Sequence, residues 1–187
     1  MLAVVFVGRS KRFPNKHFEE VKPGLRVVDL VLNSLRGAGV EILIFSKILF
    51  EGPAPFLVDP TEWIIPAFLF LFEKLEKKGI REFLAVGGDM PLISPEGVSI
   101  LLSSFYPDCL ALVPRWNNGW VEPLFAIYTL SFFRYLRWAF LDGAKSLQSI
   151  IRSCDGVKFI EAEKFPSYTF FNVNTREDLF KLREIIG

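Results

Sequence analysis

The sequence is poor in cysteine and nearly devoid of histidine. Among 187 residues there are two cysteines, Cys109 and Cys154, and one histidine, His17. The cysteines form no C-x-x-C and have no metal-ligand spacing. Neither a disulfide framework nor a zinc site is expected, which fits a reducing cytosol. With no Ser-His-Asp context, His17 reads as an ordinary loop histidine. Charge imbalance is also lacking, at a net +1. A general binder of nucleic acid or anionic membrane carries a larger basic excess. No apolar run is built to cross a bilayer. "WIIPAFLFLF" is too short, and "PLFAIYTLSFFRYLRWAF" carries Arg134 and Arg137, so both are expected as buried helix or strand. The short apolar start at residues 4–7 runs into a basic loop, unlike a secretory signal. A cytoplasmic protein is expected, with neither nucleic acid nor membrane as partner. Two phosphate-binding fingerprints are absent as well. The chain has no Walker A ending and no G-x-G-x-x-G.

What is present is an apolar, aromatic chain. Apolar residues make up 51% of it, and phenylalanine alone occurs 20 times. Such a composition excludes disorder. The length suits one domain over residues 1–187 with a substantial core. Strands are expected at residues 2–7, 40–46, in "IREFLAVGGD" and in "CLALVP". Val27, Val28, Val31, Leu32 and Leu35 recur at helical spacing, and "RGAG" closes that helix. A Pro-rich connection, residues 51–60, leads to a helix over residues 61–78 with Pro66 in its first turns. Ser94-Pro95-Glu96 is a helix start, with serine as cap and proline at the first position. "GWVEPLFAIY" reads as extended. Helical stretches follow at residues 131–141 and 145–153, then short strands in "VKFIEA" and "YTFFNV". "NTREDLFKLREII" is a final helix capped by Asn174 or Thr175. This alternation predicts a three-layer α/β/α sandwich around a mostly parallel sheet. Ligands of such sheets bind at the carboxyl ends of the strands.

Three segments fall at strand ends. In "VGRSKRFPNK" the residues Gly8, Ser10, Arg12, Pro14 and Lys16 make a basic loop suited to a polyphosphate. In "VGGDMP" Asp89 follows a buried strand and two glycines, where a carboxylate could hold a hard cation on phosphate oxygens. In "FNVNTREDL" Asn172 and Asn174 alternate along a strand end and so share a face. A fourth segment, "WVEPLFAIY", interrupts an apolar run with Glu122 and Pro123, which places Glu122 toward a cleft or in an ion pair.

Taken in order, these segments resemble the MobA-like nucleotidyltransferases, specifically the molybdenum cofactor guanylyltransferases. "VFVGRSKRFPNK" is similar to that family's opening L-A-G-G-x-S-x-R-M-G-x-D-K, with Val7-Gly8 in place of the paired glycines. "GGDMPLISPE", "EPLFAIY", "KSLQSII" and "NVNTREDL" are similar to its later motifs. The resemblance implies a nucleotide-diphospho-sugar transferase-like fold. It implies Mg2+-dependent joining of GMP from GTP to the terminal phosphate of the molybdopterin cofactor, with release of pyrophosphate. It implies Arg12, Lys16 and Asp89 as catalytic residues, and Asp89 as the metal ligand. The backbone of Val5, Phe6 and Val7 would contact guanine beside Gly8. Lys16 would hold the phosphates, with further nucleotide contacts at Ser46 and Asp59. Glu122, Asn172 and Asn174 would face the acceptor. Transient contacts with molybdoenzyme maturation proteins would follow from such a role. The loop "SKRFPNKHF" also resembles the S-x-R-x-P-x-K-x-L loop of cytidylyltransferases that activate acidic sugars. Val7 in place of glycine motivates a third reading, a degenerate nucleotide-binding protein without catalysis.

Overall fold

Parallel strands must be joined by crossovers, and helices supply them. The computed structural model describes residues 1–49, 52 and 54–187. Its elements are β1 (Leu2–Val7), β2 (Glu20–Lys22), β3 (Leu25–Arg26), α1 (Val27–Gly37), β4 (Glu41–Ser46), β5 (Phe56–Val58), α2 (Ile64–Glu76), β6 (Glu82–Gly87), α3 (Pro95–Ser103), β7 (Ala111–Arg115), β8 (Phe125–Thr129), α4 (Leu130–Leu141), α5 (Leu147–Ser153), β9 (Val157–Glu161) and α6 (Arg176–Ile186). The strand order of the main sheet is β5-β4-β1-β6-β8-β7-β9, and β2 with β3 forms a separate small hairpin. β1 pairs in parallel with β4 and with β6, β4 with β5, and β7 with β9. β8 runs antiparallel to both β6 and β7. The sheet is therefore mostly parallel, and one reversed strand lies between β6 and β7.

Both faces of the sheet are covered. Along β1 the side chains alternate between two cores, as the period of a strand requires. Val4 and Phe6 pack with α2, α4 and α5, and Ala3, Val5 and Val7 pack with α1 and α3. The abundance of phenylalanine is explained on the first face. Phe68 stacks on Phe6 at 4.9 Å and meets Tyr128 edge-on at 5.1 Å, while Phe72 meets Phe83 at 5.1 Å. Such offset and edge-on pairs add to simple burial. Helix ends follow the sequence signals. Pro66 sits in the first turn of α2, where its missing N–H leaves no helical bond unmade. Ser94 caps α3 by accepting from Gly97 N at 3.1 Å. Among the described residues, no helix is long and apolar enough to cross a membrane.

Three local expectations are corrected. "YTFFNV" is not a strand. Tyr168 takes φ 67°, Phe171 N bonds back to Tyr168 O at 2.8 Å, and Val173 N donates to Asp89 O instead of to a sheet neighbour. Phe170 is drawn inward against Phe125 and Phe165, at 5.8 and 5.4 Å. "GWVEPLFAIY" is extended only in two pieces. Val121 makes an isolated bridge with Arg115, and β8 begins at Phe125. The Pro-rich connection at 51–60 lies partly outside the described residues, but within it Phe56–Val58 forms the edge strand β5.

Phe68 is fully buried at the centre of the aromatic cluster, whereas Phe180 on α6 is 61% exposed. Phe68→Ala is expected to lower the unfolding free energy by about 3–5 kcal/mol. Phe180→Ala is expected to change it by no more than about 0.5 kcal/mol. Urea denaturation at neutral pH checks both.

Candidate functional site

The carboxyl ends of β1, β4, β5 and β6 all point to one edge of the sheet. A cavity of about 470 Å³ opens there, and Phe6, Val7, Gly8, Arg12, Asp59 and Asp89 are on its wall. The basic loop is pinned at both ends of its turn. Ser10 Oγ accepts from Phe13 N at 3.1 Å, and Phe13 is buried in a small core with Val27, Val173 and Leu179. Asn15 then takes the left-handed conformation, φ 59°, which asparagine tolerates better than most residues. That reversal turns Lys16 inward, where it is 7% exposed, while Lys11 and Arg12 stay exposed on the cavity rim.

The Lys16 ammonium joins the three segments. It is ion-paired with Asp89 Oδ2 and donates to Asn174 Oδ1 at 2.7 Å. Asn174 is set by the start of α6. Asp178 Oδ2 accepts from Asn174 N at 3.0 Å and from Thr175 N at 2.9 Å, while Thr175 Oγ1 accepts from Asp178 N at 3.1 Å. Burial alone would raise the Asp178 pKa. The Asn174 and Thr175 N–H groups and the Thr175 hydroxyl outweigh it, and the carboxyl titrates below its ordinary range.

Two glycines allow β6 to end this close to β1. A Cβ on Gly87 would lie 2.8 Å from Asp89 Oδ1. One on Gly88 would lie 3.0 Å from Val7 Cγ2 and 3.1 Å from His17 Nδ1. Gly88 N also donates to Phe6 O at 2.9 Å. His17 is therefore no ordinary loop histidine. It is 3% exposed beneath the loop, packed on Gly88 and close to the charge of Asp89. Burial lowers its pKa, and the negative Asp89 opposes the shift only in part.

The remaining sequence candidates are distributed over three places. Asp59 lies on the cavity wall, its Oδ2 3.0 Å from Lys47 Nζ and its Oδ1 accepting from Thr61 N at 2.9 Å. Val5 and Ser46 lie behind the wall. Val5 pairs with Ile44 and Val86 in mid-sheet, and the buried Ser46 hydroxyl donates to Ile48 O at 2.7 Å. The carbonyls of Phe6 and Val7 already accept from Gly88 N and Lys47 N. Glu122 and Asn172 line a second cavity of about 420 Å³. Because the segment is a turn and not a strand, Asn172 and Asn174 do not share a face. Sequence reasoning did not single out Lys47 or Trp63, which line the first cavity; their only signal was position, just past a strand and just before a helix.

No group of three or more His, Cys, Asp or Glu side chains among the described residues is arranged to hold a metal ion. The donor set nevertheless suits Mg2+, which commonly uses one or two carboxylates and completes its shell with water and substrate phosphates. Asp89 would supply that carboxylate.

The sequence model of the MobA-like NTP transferase domain matches residues 3–157, which include the basic loop with Lys16 and the glycine-linked Asp89. The chain belongs to this family. It is a nucleotidyltransferase, and enzymes of the MobA-like family generally use a divalent metal. A relative from Pyrococcus horikoshii, named probable molybdenum cofactor guanylyltransferase, is 41% identical over 138 residues, covering 72% of this chain and 69% of that one. Matches to further relatives of that name cover as little as 53% of their length. Among solved structures, molybdopterin-guanine dinucleotide biosynthesis protein A from Archaeoglobus fulgidus superimposes with a TM-score of 0.75 at 22% identity, covering 100% of this chain and 98% of that one. The 2-C-methyl-D-erythritol 4-phosphate cytidylyltransferase of Thermus thermophilus superimposes at 0.70 with 16% identity, covering 98% and 97%. At these identities the two structures show the shared fold, a three-layer sandwich of the nucleotide-diphospho-sugar transferase type. The curated MobA-like relatives favour the guanylyltransferase reading over the cytidylyltransferase one.

The Thr175–Asp178 cap gives a test of how Asn174 is held. Thr175→Ala is expected to cost about 1 kcal/mol of stability. The folded pKa of Asp178 lies below its unfolded value. Its stabilisation is therefore complete above the unfolded carboxyl range and is lost as pH falls through the folded value. Asp178→Asn should be less stable than the parent at neutral pH, and the gap should close on acidification in paired urea titrations.

Proposed function

We propose that residues 1–187 act as one nucleotidyltransferase domain that joins GMP from GTP to the terminal phosphate of the molybdopterin cofactor and releases pyrophosphate, with Mg2+, in the cytoplasm. The observation that carries this reading is the contact of Lys16 with Asp89 at the carboxyl ends of the parallel strands, in a cavity rimmed by Arg12 and Lys11. The names of the MobA-like relatives support the choice of substrates.

In this reading the triphosphate lies against the loop of Gly8–Lys16. Phosphate oxygens draw the Lys16 ammonium from Asp89, and the freed carboxylate is the group that would hold the metal. A bound Mg2+ supplies charge neutralisation on the nucleotide phosphates. Lys16 and Arg12 hold the α- and β-phosphates in line with the acceptor and offset the negative charge that grows on the leaving pyrophosphate. An oxygen of the acceptor phosphate attacks the α-phosphorus. A new P–O bond forms, and the bond from the α-phosphorus to the α,β-bridging oxygen breaks. The nucleophile is already an anion, so the site needs no general base and acts by positioning. The base lies toward Phe45, Trp63 and Ala67. There the Lys47 ammonium and the Asp59 carboxylate stand 3.0 Å apart, a donor and an acceptor suited to the adjacent O6 and N1–H of guanine. Asn174 steadies Lys16 on the acceptor side. Molybdoenzyme maturation proteins would receive the product.

Pyrophosphate release with each nucleoside triphosphate, Mg2+ and molybdopterin tests the reading. Turnover with GTP, abolished in Asp89→Ala while the fold stays intact, is expected. Turnover with CTP and an acidic sugar but not with GTP would replace guanylyl transfer by cytidylyl transfer. Nucleotide binding without product would point to the degenerate binder.

A further inference from the structure

The second cavity neighbours the first, and Ile64 and Leu124 line both. Its mouth carries an exposed aromatic residue on a rigid mount. Trp120 is 54% exposed. It closes a tight hairpin in which Trp116 N donates to Trp120 O at 2.8 Å and Gly119 N to Trp116 O at 2.8 Å. Gln148 of α5 clamps the next residue, with Nε2 donating to Val121 O at 2.6 Å. Glu122, partly buried, lines the same cavity. Among the described residues its carboxylate has one hydrogen-bond partner, Trp116 Nε1 at 2.7 Å on Oε1. A carboxylate has acceptor sites for several donors, so the Trp116 bond leaves capacity toward the cavity. Lys145 adds a positive charge on the rim.

A flat indole beside a recessed acceptor is the chemistry for a fused heteroaromatic ring with adjacent N–H donors on one edge. We propose that Trp120 and Glu122 form the ring-reading subsite for the acceptor. The indole stacks on the pterin, and Glu122 accepts from its adjacent N3–H and 2-amino groups. This assignment rests on the reading that the acceptor is a pterin phosphate. It gives the second cavity the specificity for the acceptor and the first cavity the specificity for the nucleotide.

The test uses the intact protein and 6-hydroxymethylpterin, whose own fluorescence reports binding. Titrations are run with Mg2+ and α,β-methylene-GTP filling the first cavity, and again without nucleotide. The parent should bind pterin and quench it. Trp120→Ala should weaken binding roughly tenfold or more. Glu122→Gln should erase the preference for pterin over lumazine, which carries a carbonyl oxygen in place of the 2-amino group. Both variants should bind the GTP analogue as the parent does, which separates the effect from misfolding. Pterin binding of equal strength in the parent and both variants, or none in the parent, would overturn the subsite. Failure of the parent to bind the nucleotide analogue would instead count against the guanylyltransferase reading, while the titrations without nucleotide still judge the subsite.

Discussion

Lys16 is the one contact on which the geometry of the site depends. Its ammonium meets Asp89 from the end of β6 and Asn174 from the start of α6. Three segments far apart in sequence are thereby held at one edge of the sheet. With side-chain exposures of 9% and 18%, the Lys16–Asp89 pair is too dry to behave as a surface ion pair. Removing either partner would strand a charge in a poorly hydrated place, which costs far more than an exposed pair is worth. In the proposed function, Asp89 would exchange this partner for metal as Lys16 turns to phosphate.

Everything around that pair serves to bring it close. The left-handed turn at Asn15 aims Lys16 inward, and Phe13 anchors the loop in the core beside α6. Gly87 and Gly88 keep the end of β6 free of side chains where Val7, His17 and Asp89 converge. Val7, which stands where the family pattern has a glycine, lies on the cavity wall. It remains a regular β1 residue paired with Ser46, and a Cβ added at Gly8 would meet nothing within 4 Å. The loop departs from the family pattern in sequence without being forced away from the cavity.

Much of this was legible before the fold was known. Strand periodicity, the Ser94-Pro95 start and the Thr175 cap are local signals, and local signals survive folding. The meeting of the basic loop and Asp89 followed from one rule, that parallel strands end on a common edge, whereas Asn174 reaches Lys16 from the capped start of α6 and not from a strand. What was illegible depended on tertiary burial. His17 read as an ordinary loop histidine because nothing local shows that Gly88 leaves room to cover it. The segment of residues 168–173 read as a strand because Phe170 and Phe171 suit one, yet Phe170 turns in to the Phe125 and Phe165 rings and Val173 pairs with the Asp89 backbone. Lys47 carried no motif at all, and only the pairing of β4 with β5 brings it to Asp59.

In the proposed mechanism, Asp89 would serve a metal only once nucleotide phosphates have drawn Lys16 away. Calorimetric titration of Mg2+ into the protein, with and without saturating α,β-methylene-GTP, tests it most directly. The account predicts weak binding of Mg2+ alone and at least tenfold tighter binding with the analogue, a gain worth about 1.4 kcal/mol or more. Equally tight Mg2+ binding in the absence of nucleotide would contradict it.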